Sequence, residues 1–450
     1  MTSVTAKRPR LILVDDNIRD VGGHYFELAT LLLTGADRLG YQPVLATNAC
    51  FDEPQSVNSG WDLHRVFHTR RLVRWSLGVD GNSTLQRNLA GEPLGASGLQ
   101  RLLAKKSDYF TPPAKRPQKM LQQWGEDFCR LLNQIKPTEE DSLLINTGDD
   151  FAMLALAGAM QRLEIPKMRI DVIFHFALYE SSQPDRKERL RLIGRQIRSA
   201  LDALHAHDVH LHATTDALAG QLRESECGVR ISSIPYPTRP RPVSSSPERT
   251  LKAVLAGLPR AEKGKAAITD LLAGTEKTVL KDGRFRISMQ MPEDRWQTMV
   301  PKSLHRAYVS SAEGNPGGPL EVMTSNLSTT DYHSWLDSAD LGLFLYSPER
   351  YVARCSGVLL EMLVRGVPVI VPDRCWLAEQ VRMAGGHRSI GFIYQDRAEI
   401  PDLMRQFVKH REQMLPRSIE HAATITQRHD GRNTLRKMGL EPTGNQKRAA

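Results

Sequence analysis

A serine–glycine pair and a glutamate near the C-terminal end of the chain have the types and spacing needed to bind an anionic ligand. They lie in the stretch 351–377, YVARCSGVLLEMLVRGVPVIVPDRCWL. Ser356 can cap a helix that begins at Gly357 and ends at Gly366. The start of such a helix presents free backbone N–H groups and the positive end of the helix dipole, and Gly357 lets a phosphate approach closely. Glu361 follows one turn later, where its carboxylate could accept hydrogen bonds from sugar hydroxyls.

A second interpretation of this helix needs no ligand. Glu361 and Arg365 are spaced i,i+4, so they could form an ion pair on the surface of the helix. The residues taken alone leave both interpretations open.

The strands and helices that would position these residues are predicted in the same order at two places in the chain. A strand over 10–14 (RLILV) is followed by a polar loop, by Gly22 and Gly23 at the start of an amphipathic helix, and by a strand over 44–46. The strand over 341–346 leads in the same way into the loop SPERYVARCSG, a helix and a further strand. Repetition of strand, loop and helix predicts an α/β fold of two doubly wound, Rossmann-like domains.

A histidine stands where a predicted strand ends. The run 170–174, IDVIF, is typical of a buried strand, and His175 follows it directly. Open α/β sheets bind ligands at the carboxyl ends of their strands, so His175 is a candidate functional residue. The alternative is a histidine whose ring is satisfied by backbone groups in a loop.

Four more histidines occur in the run 205–212, HAHDVHLH. Histidines two apart on a strand share a face, so a metal site is conceivable there. The plain alternative is a strand that leads into the helix over 216–222.

The stretch 351–377 resembles the donor-binding segment of GT-B glycosyltransferases, in particular the retaining enzymes of the family-4 type (glycosyltransferase group 1). In that family a Ser/Gly helix start meets the diphosphate of a nucleotide sugar, a glutamate holds the ribose, and a histidine after a strand faces the donor sugar. The resemblance implies catalytic roles for His175 and Glu361, with Tyr351 and Arg354 lining the pocket. The donor-binding residues it implies are Arg260, Lys263, Ser356, Gly357, Val358, Gly22 and Gly23.

One position departs from the pattern of this family. The usual Glu-x7-Glu pair requires a glutamate eight residues before Glu361, and this chain has Ala353 there. Because the missing glutamate normally touches the donor sugar, the identity of the sugar and part of the mechanism stay open.

The chain has 450 residues, which is enough for two domains of ordinary size. The Pro- and Ser-rich run after Ile234 predicts a linker. We therefore expect a first domain over 1–238 with a basic insertion at about 70–120, a donor-binding domain over 246–415, and a basic helical tail over 416–450 whose end is disordered. The insertion could face an acceptor or a membrane, or be a solvated surface segment.

A net charge of +9 implies acidic partners, such as nucleotide diphosphates or anionic lipid. We find no motif for specific nucleic-acid binding. The 5 cysteines are scattered without metal spacing, which suits a reducing compartment. No run reaches the roughly 18 apolar residues of a membrane span. These features predict a cytoplasmic protein with peripheral contact to the inner face of the membrane.

The function implied by the resemblance is transfer of a sugar from a nucleoside diphosphate sugar to an acceptor hydroxyl in polysaccharide or glycoconjugate synthesis. We expect a retaining, metal-independent enzyme without a cofactor. The alternative is a catalytically inactive protein of GT-B fold that binds a glycan or a partner, and Ala353 supports it.

Overall fold

The structure is a computed structural model that describes residues 8–21, 24–52, 60–68, 116–180, 183–243, 250–306, 318–325 and 327–442. Gly22, Gly23, most of the predicted insertion at about 70–120 and the last residues of the predicted tail lie outside these ranges. The chain divides into two compact units, Met1–Pro237 with Asp430–Ala450, and Thr238–His429.

The first unit is built on a seven-stranded sheet in the order β3-β2-β1-β4-β5-β6-β7, with every pair of neighbours parallel. Continuous apolar runs form its central strands because both faces of a parallel sheet are covered. Leu13 of the first strand pairs with Leu45 on one side and Leu144 on the other. The strands are Arg10–Asp15 (β1), Gln42–Asn48 (β2), Asp62–Phe67 (β3), Ser142–Gly148 (β4), Arg169–Phe174 (β5), Asp208–Ala213 (β6) and Ile231–Ser233 (β7).

Helices connect these strands, as a parallel sheet requires. Their side chains supply much of the core, including Leu32 and Leu33, which are fully buried against β1. The helices before the linker are His24–Leu39 (α1), Arg116–Ile135 (α2), Asp150–Met160 (α3), Arg186–Ala203 (α4) and Asp216–Glu224 (α5).

The second unit repeats this plan with a six-stranded parallel sheet in the order β10-β9-β8-β11-β12-β13. The predicted fold of two doubly wound α/β domains is therefore confirmed. The strands are Leu251–Leu255 (β8), Phe285–Gln290 (β9), Leu320–Met323 (β10), Leu341–Leu343 (β11), Val369–Pro372 (β12) and Gly391–Tyr394 (β13). The helices are Ile268–Thr275 (α6), Trp296–Met299 (α7), Thr329–Asp337 (α8), Pro348–Tyr351 (α9), Gly357–Leu363 (α10), Trp376–Met383 (α11) and Ile400–Arg428 (α12).

The C-terminal region differs in form from the single basic helical tail expected over 416–450. Residues up to Arg428 continue α12 of the second unit, and a separate helix, Gly431–Met438 (α13), belongs to the first unit. Asp430 separates the two helices because its side chain caps α13, accepting from the backbone N–H groups of Arg432 and Asn433. Leu435, Met438 and Leu440 are buried in the core cluster of the first unit.

Among the helices of the described residues, none combines the length and the apolar composition that a membrane span requires.

Candidate functional site

Each sheet has one place where the strand order reverses, and a ligand site of an open α/β sheet is expected at the carboxyl ends of those strands. In the second unit this place lies between β8 and β11. The loop after β8 carries Arg260 and Lys263, and the segment after β11 leads to Tyr346 and the stretch around Ser356. The candidate donor-binding residues therefore follow two neighbouring strands at their switch point.

The loop after β8 is built to bring a lysine inward. Lys263 ends the short 3-10 helix Ala261–Lys263, and Gly264 then takes a left-handed conformation with φ of 78°. A side chain at Gly264 would collide with the backbone of Leu345, and one at Gly257 would collide with the Lys263 ammonium. Because these two glycines have no side chains, Leu345 can pack closely on Gly264 and the Lys263 side chain has space beside Gly257.

The Lys263 ammonium is surrounded by other candidate residues. Burial lowers its pKa, the charges of Arg260 and Arg354 lower it further, and Tyr351 and Glu361 act in the opposite direction. The structure therefore brings residues of two segments that are far apart in sequence, 260–263 and 351–361, within electrostatic range of each other. No ion pair to Lys263 occurs among the residues that the structure describes. A half-buried cation without such a partner is suited to bind an anion.

Tyr346 is part of this cluster and is not among the site residues predicted from the sequence. Its ring centre lies 5.7 Å from Lys263 Nζ and 4.6 Å from the ring centre of Tyr351. Its hydroxyl is buried and has no hydrogen-bond partner within the described part of the chain. Burial raises the pKa of Tyr346, and Ser356 lies close enough to oppose this rise but outside hydrogen-bonding geometry. The signal in the sequence was a polar aromatic residue directly after the apolar run LGLFL.

The helix α10 begins as the sequence predicts. Ser356 is its N-cap, and the Ser356 side chain accepts a hydrogen bond of 3.2 Å from the backbone N–H of Leu359. Gly357 and Val358 occupy the first turn and are partly exposed. Arg354 lies just before the cap, with its guanidinium 5.4 Å from the centre of the Tyr351 ring.

The Glu361 carboxylate is half-buried and contacts the helix α8. Its Oε2 accepts a hydrogen bond of 2.7 Å from the Tyr332 hydroxyl. Arg365 is only 2% exposed, and its guanidinium donates to Asp337 at 2.7 Å and to the backbone carbonyl of Glu361 at 2.6 Å. The alternative of an ion pair on the solvated surface of the helix is therefore wrong, because the guanidinium of Arg365 is inside the unit.

His175 belongs to the first unit and lies at the carboxyl end of β5, where the sequence predicts it. It is 7% exposed, and its Nε2 lies 2.7 Å from the carbonyl oxygen of Asn146. Because a carbonyl oxygen only accepts, Nε2 carries a hydrogen and donates it. The Tyr236 ring packs edge-on at 5.7 Å. One ring nitrogen is thus satisfied by backbone, and the role of the other stays a prediction.

A buried carboxylate lies at the switch point of the first sheet, between β1 and β4. Asp15 ends β1, and its Oδ2 accepts hydrogen bonds of 2.8 Å from Asn146 and from Thr147. Its Oδ1 accepts from the backbone and the side chain of Asn17 at 3.0 and 3.1 Å. Burial raises the pKa of Asp15, and these donors oppose the rise. The sequence predicts only a polar loop here, although acidic residues directly after a first strand are a usable signal.

The histidine run over 205–212 does not form a metal site. His212 Nε2 lies 2.7 Å from Asp171, and its Nδ1 lies 2.5 Å from the Ser232 hydroxyl. Across the described ranges, no group of three or more His, Cys, Asp or Glu side chains could hold a metal ion. The alternative of a plain strand is correct, with β6 at Asp208–Ala213.

Several solved structures are similar to this chain over nearly its whole length. A trehalose-phosphate synthase (UDP-forming) from Burkholderia vietnamiensis has a TM-score of 0.55 at 12% identity, over 99% of this chain and 100% of that one. Sucrose-phosphate synthase from Thermosynechococcus elongatus has a TM-score of 0.56 at 11% identity, over 98% of both chains. HepE of Anabaena, solved in complex with UDP, has a TM-score of 0.54 at 12% identity, over 96% of this chain and 98% of that one. The fold is GT-B.

At these identities the similarity establishes the GT-B fold and leaves the substrate open. No protein-family profile matches the chain, and no curated protein matches its sequence. The candidate residues of each unit lie at one edge of its sheet, because each residue follows the carboxyl end of a parallel strand. In the second unit, that shared edge is what brings Lys263, Tyr346 and Glu361 together.

Proposed function

We propose that this protein is a glycosyltransferase that moves a sugar from a nucleoside diphosphate sugar to an acceptor hydroxyl. The observation that carries the proposal is the half-buried Lys263 ammonium beside the ring of Tyr346, whose buried hydroxyl has no hydrogen-bond partner among the described residues. Both are groups that an anionic ligand would satisfy. The similarity in fold to glycosyltransferases, one of them solved with UDP, agrees with this assignment.

The cluster in the second unit holds the diphosphate in this proposal. Lys263 and Arg354 contribute positive charge. Arg260 is more exposed, and its planar guanidinium can donate hydrogen bonds to the phosphate oxygens from the edge of the cluster. Ser356, Gly357 and Val358 supply the backbone N–H groups of the α10 start, where no side chain of Gly357 blocks the approach of an oxygen. Tyr351 lines the pocket beside Arg354.

The difficult step of such a transfer is departure of the diphosphate, on which negative charge develops. Fixed cations and oriented N–H groups at the leaving oxygens stabilise that charge in the transition state. The protein's own cations supply this charge in the metal-independent mechanism that we propose. Glu361 holds the ribose through its carboxylate, and His175 contacts the donor sugar through Nδ1.

The stereochemical course and the sugar depend on the loop before α10. Ala353 is fully buried at the position where the resembling family has a glutamate. We propose a retaining transfer, with a donor sugar that does not require a carboxylate at this place. A role in polysaccharide or glycoconjugate synthesis, a cytoplasmic location and peripheral contact with anionic membrane are further parts of the proposal.

Ala353 also favours a second function, that of a catalytically inactive GT-B protein which binds a glycan or a partner. The two functions predict different outcomes with nucleotide sugars. An enzyme should bind a nucleoside diphosphate and should hydrolyse or transfer from the matching sugar nucleotide. An inactive relative should bind without turnover or not bind at all.

Calorimetric titration with UDP, GDP, ADP and dTDP is the first test, followed by release of the nucleotide from a panel of their sugar conjugates. Binding of one nucleotide together with slow hydrolysis of one conjugate supports the enzyme. Absence of binding to the whole panel, by a folded protein, would falsify the donor site.

A further inference from the structure

The helix α8 contacts the Glu361 carboxylate directly and reaches the Glu361 backbone indirectly, through Arg365. Tyr332 donates its hydroxyl hydrogen to Glu361 Oε2 at 2.7 Å. Arg365 donates to the Glu361 carbonyl at 2.6 Å, and the same guanidinium is fixed by Asp337 at 2.7 Å and lies 3.0 Å from His333 Nδ1. One direct contact from α8, made by Tyr332, and one contact from an arginine that α8 fixes therefore restrict the position of Glu361.

The helix that makes these contacts is itself anchored to the sheet. Ser328 caps α8 by accepting from the backbone N–H of Asp331 at 3.1 Å. The Trp335 indole N–H donates to the Ser288 hydroxyl of β9 at 2.6 Å, and Trp335 is 6% exposed. The ring centres of Trp335 and Tyr332 lie 6.1 Å apart, so the anchored indole also supports the tyrosine ring.

Tyr332 remains the hydrogen-bond donor, and Glu361 the acceptor, near neutral pH. Burial raises the pKa of the Tyr332 hydroxyl well above 10, and the charge of Glu361 raises it further. The hydroxyl therefore stays protonated and donates, while the carboxylate accepts. Hydrogen bonds to an ionised acceptor are the stronger kind, and they fix geometry as well as energy.

We propose that Tyr332 is a positioning residue that fixes the Glu361 carboxylate for the ribose hydroxyls, and so sets the preference for ribonucleotides over deoxyribonucleotides. The inference rests on the proposed function, because it needs a nucleotide at Glu361. A glutamate side chain has several rotatable bonds, and each rotamer places its oxygens differently. Removing the Tyr332 donor takes away a contact that restricts these rotamers, and it leaves the charge of the carboxylate in place.

The test compares the affinities of UDP and 2′-deoxy-UDP by calorimetry for the wild-type protein, Tyr332→Phe, Glu361→Gln and the double variant. Tyr332→Phe should weaken UDP binding about tenfold, in line with the loss of a hydrogen bond to a charged group. Binding of 2′-deoxy-UDP should change by less than about twofold, because that ligand lacks one of the hydroxyls that Glu361 would hold.

The double variant separates positioning from an independent contact. If Tyr332 acts through Glu361, the double variant should match Glu361→Gln alone, because the second change has nothing left to position. The matched control is Tyr394→Phe, which removes another buried hydroxyl of this unit, one that donates to the Phe344 carbonyl at 2.9 Å. It should lower the thermal stability and leave the ratio of the two affinities unchanged.

Three results overturn the inference, and they are distinguishable. An unchanged ratio in a folded Tyr332→Phe protein, with a relaxed ratio in Glu361→Gln, removes the role of Tyr332 and keeps the proposed function. Additive losses in the double variant show that Tyr332 acts on the ligand without Glu361. Absence of binding of any nucleoside diphosphate to the wild-type protein overturns both proposals. If Tyr332→Phe does not fold, Tyr332→Met removes the donor with a more adaptable side chain and carries the same expectations.

Discussion

Lys263 Nζ lies 5.7 Å from the centre of the Tyr346 ring, although 82 residues separate the two in the chain. The lysine follows β8 and the tyrosine follows β11, which are neighbouring strands of the second sheet. Lys263 lacks an ion pair among the described residues, and the Tyr346 hydroxyl lacks a hydrogen-bond partner there. A cation and a buried hydroxyl that could both bind an anionic ligand therefore lie at one edge of the sheet.

Replacement of Lys263 by alanine should weaken nucleoside diphosphate binding by about 10- to 100-fold. The change removes a charge-assisted hydrogen bond, worth about 1.5–3 kcal/mol. Arg260→Ala should weaken binding in the same direction but less, because Arg260 is exposed. The control is Lys265→Ala, which removes an exposed lysine of the same loop and should leave the affinity within about twofold. Equal affinities in wild-type, Lys263→Ala and Arg260→Ala proteins, measured by calorimetry, would remove the loop from the site.

The affinity for UDP should fall as the pH rises above neutrality, and the fall should begin below the usual lysine pKa near 10.5. Burial and the neighbouring Arg260 and Arg354 lower the pKa of Lys263, and only its protonated form attracts the diphosphate. Binding is therefore strongest below the lowered pKa and weakens as the pH passes through it. Lys263→Arg keeps its charge over this range, so its affinity should stay flat between pH 7 and about 10. Parallel curves for both proteins would contradict the assignment.

The same shift predicts how stability depends on pH in the protein without ligand. Between the lowered pKa of Lys263 and 10.5, the unfolded chain binds more protons than the folded one. The free energy of unfolding should therefore receive a contribution that increases with pH in this window. The measurement is urea unfolding from pH 7 to about 10, in which Lys263→Arg should lack this contribution. Identical pH dependence in the two proteins contradicts the prediction.

Tyr346→Phe should stabilise the protein without ligand and weaken its binding of nucleotide. The buried Tyr346 hydroxyl has no partner in the described structure, and such a group costs about 1–3 kcal/mol. Tyr394→Phe is again the matched control, since it removes a hydroxyl that is paired with the Phe344 carbonyl. Urea unfolding should show opposite signs for the two variants. A loss of stability in both variants would mean that the Tyr346 hydroxyl already has a hydrogen-bond partner in the protein without ligand.

His175→Ala should lower the turnover of the donor much more than the affinity for nucleotide, because the proposed contact is made to the sugar during the reaction. His175→Gln provides the comparison, since its amide N–H can still donate to the Asn146 carbonyl. Both variants should lose turnover, and only the alanine variant should lose stability, by about 1 kcal/mol. If the glutamine variant keeps full turnover, the histidine serves only the backbone contact seen in the structure.

The sequence alone predicts the two doubly wound sheets and the start of α10, because these depend on local patterns. Apolar runs such as the one over 10–14 give a buried strand wherever they occur, and Ser356 caps the helix through its own neighbours. The strand order predicts Ser356 and Glu361 after the end of a strand, and the resemblance to GT-B glycosyltransferases adds Lys263. The structure brings these three residues into one unit of the GT-B fold.

Only the tertiary structure decides which groups are buried and with what they pair. Glu361 and Arg365 look like a surface pair in the sequence, but Arg365 is fixed by Asp337, 28 residues earlier. Tyr332 and Tyr346 have no motif, because their roles come from the packing of α8 on α10 and from the neighbouring positions of β8 and β11. Such contacts depend on strand order and helix packing, which periodicity does not encode. The sequence thus determined the elements and the chemistry available, and the fold decided which side chains meet.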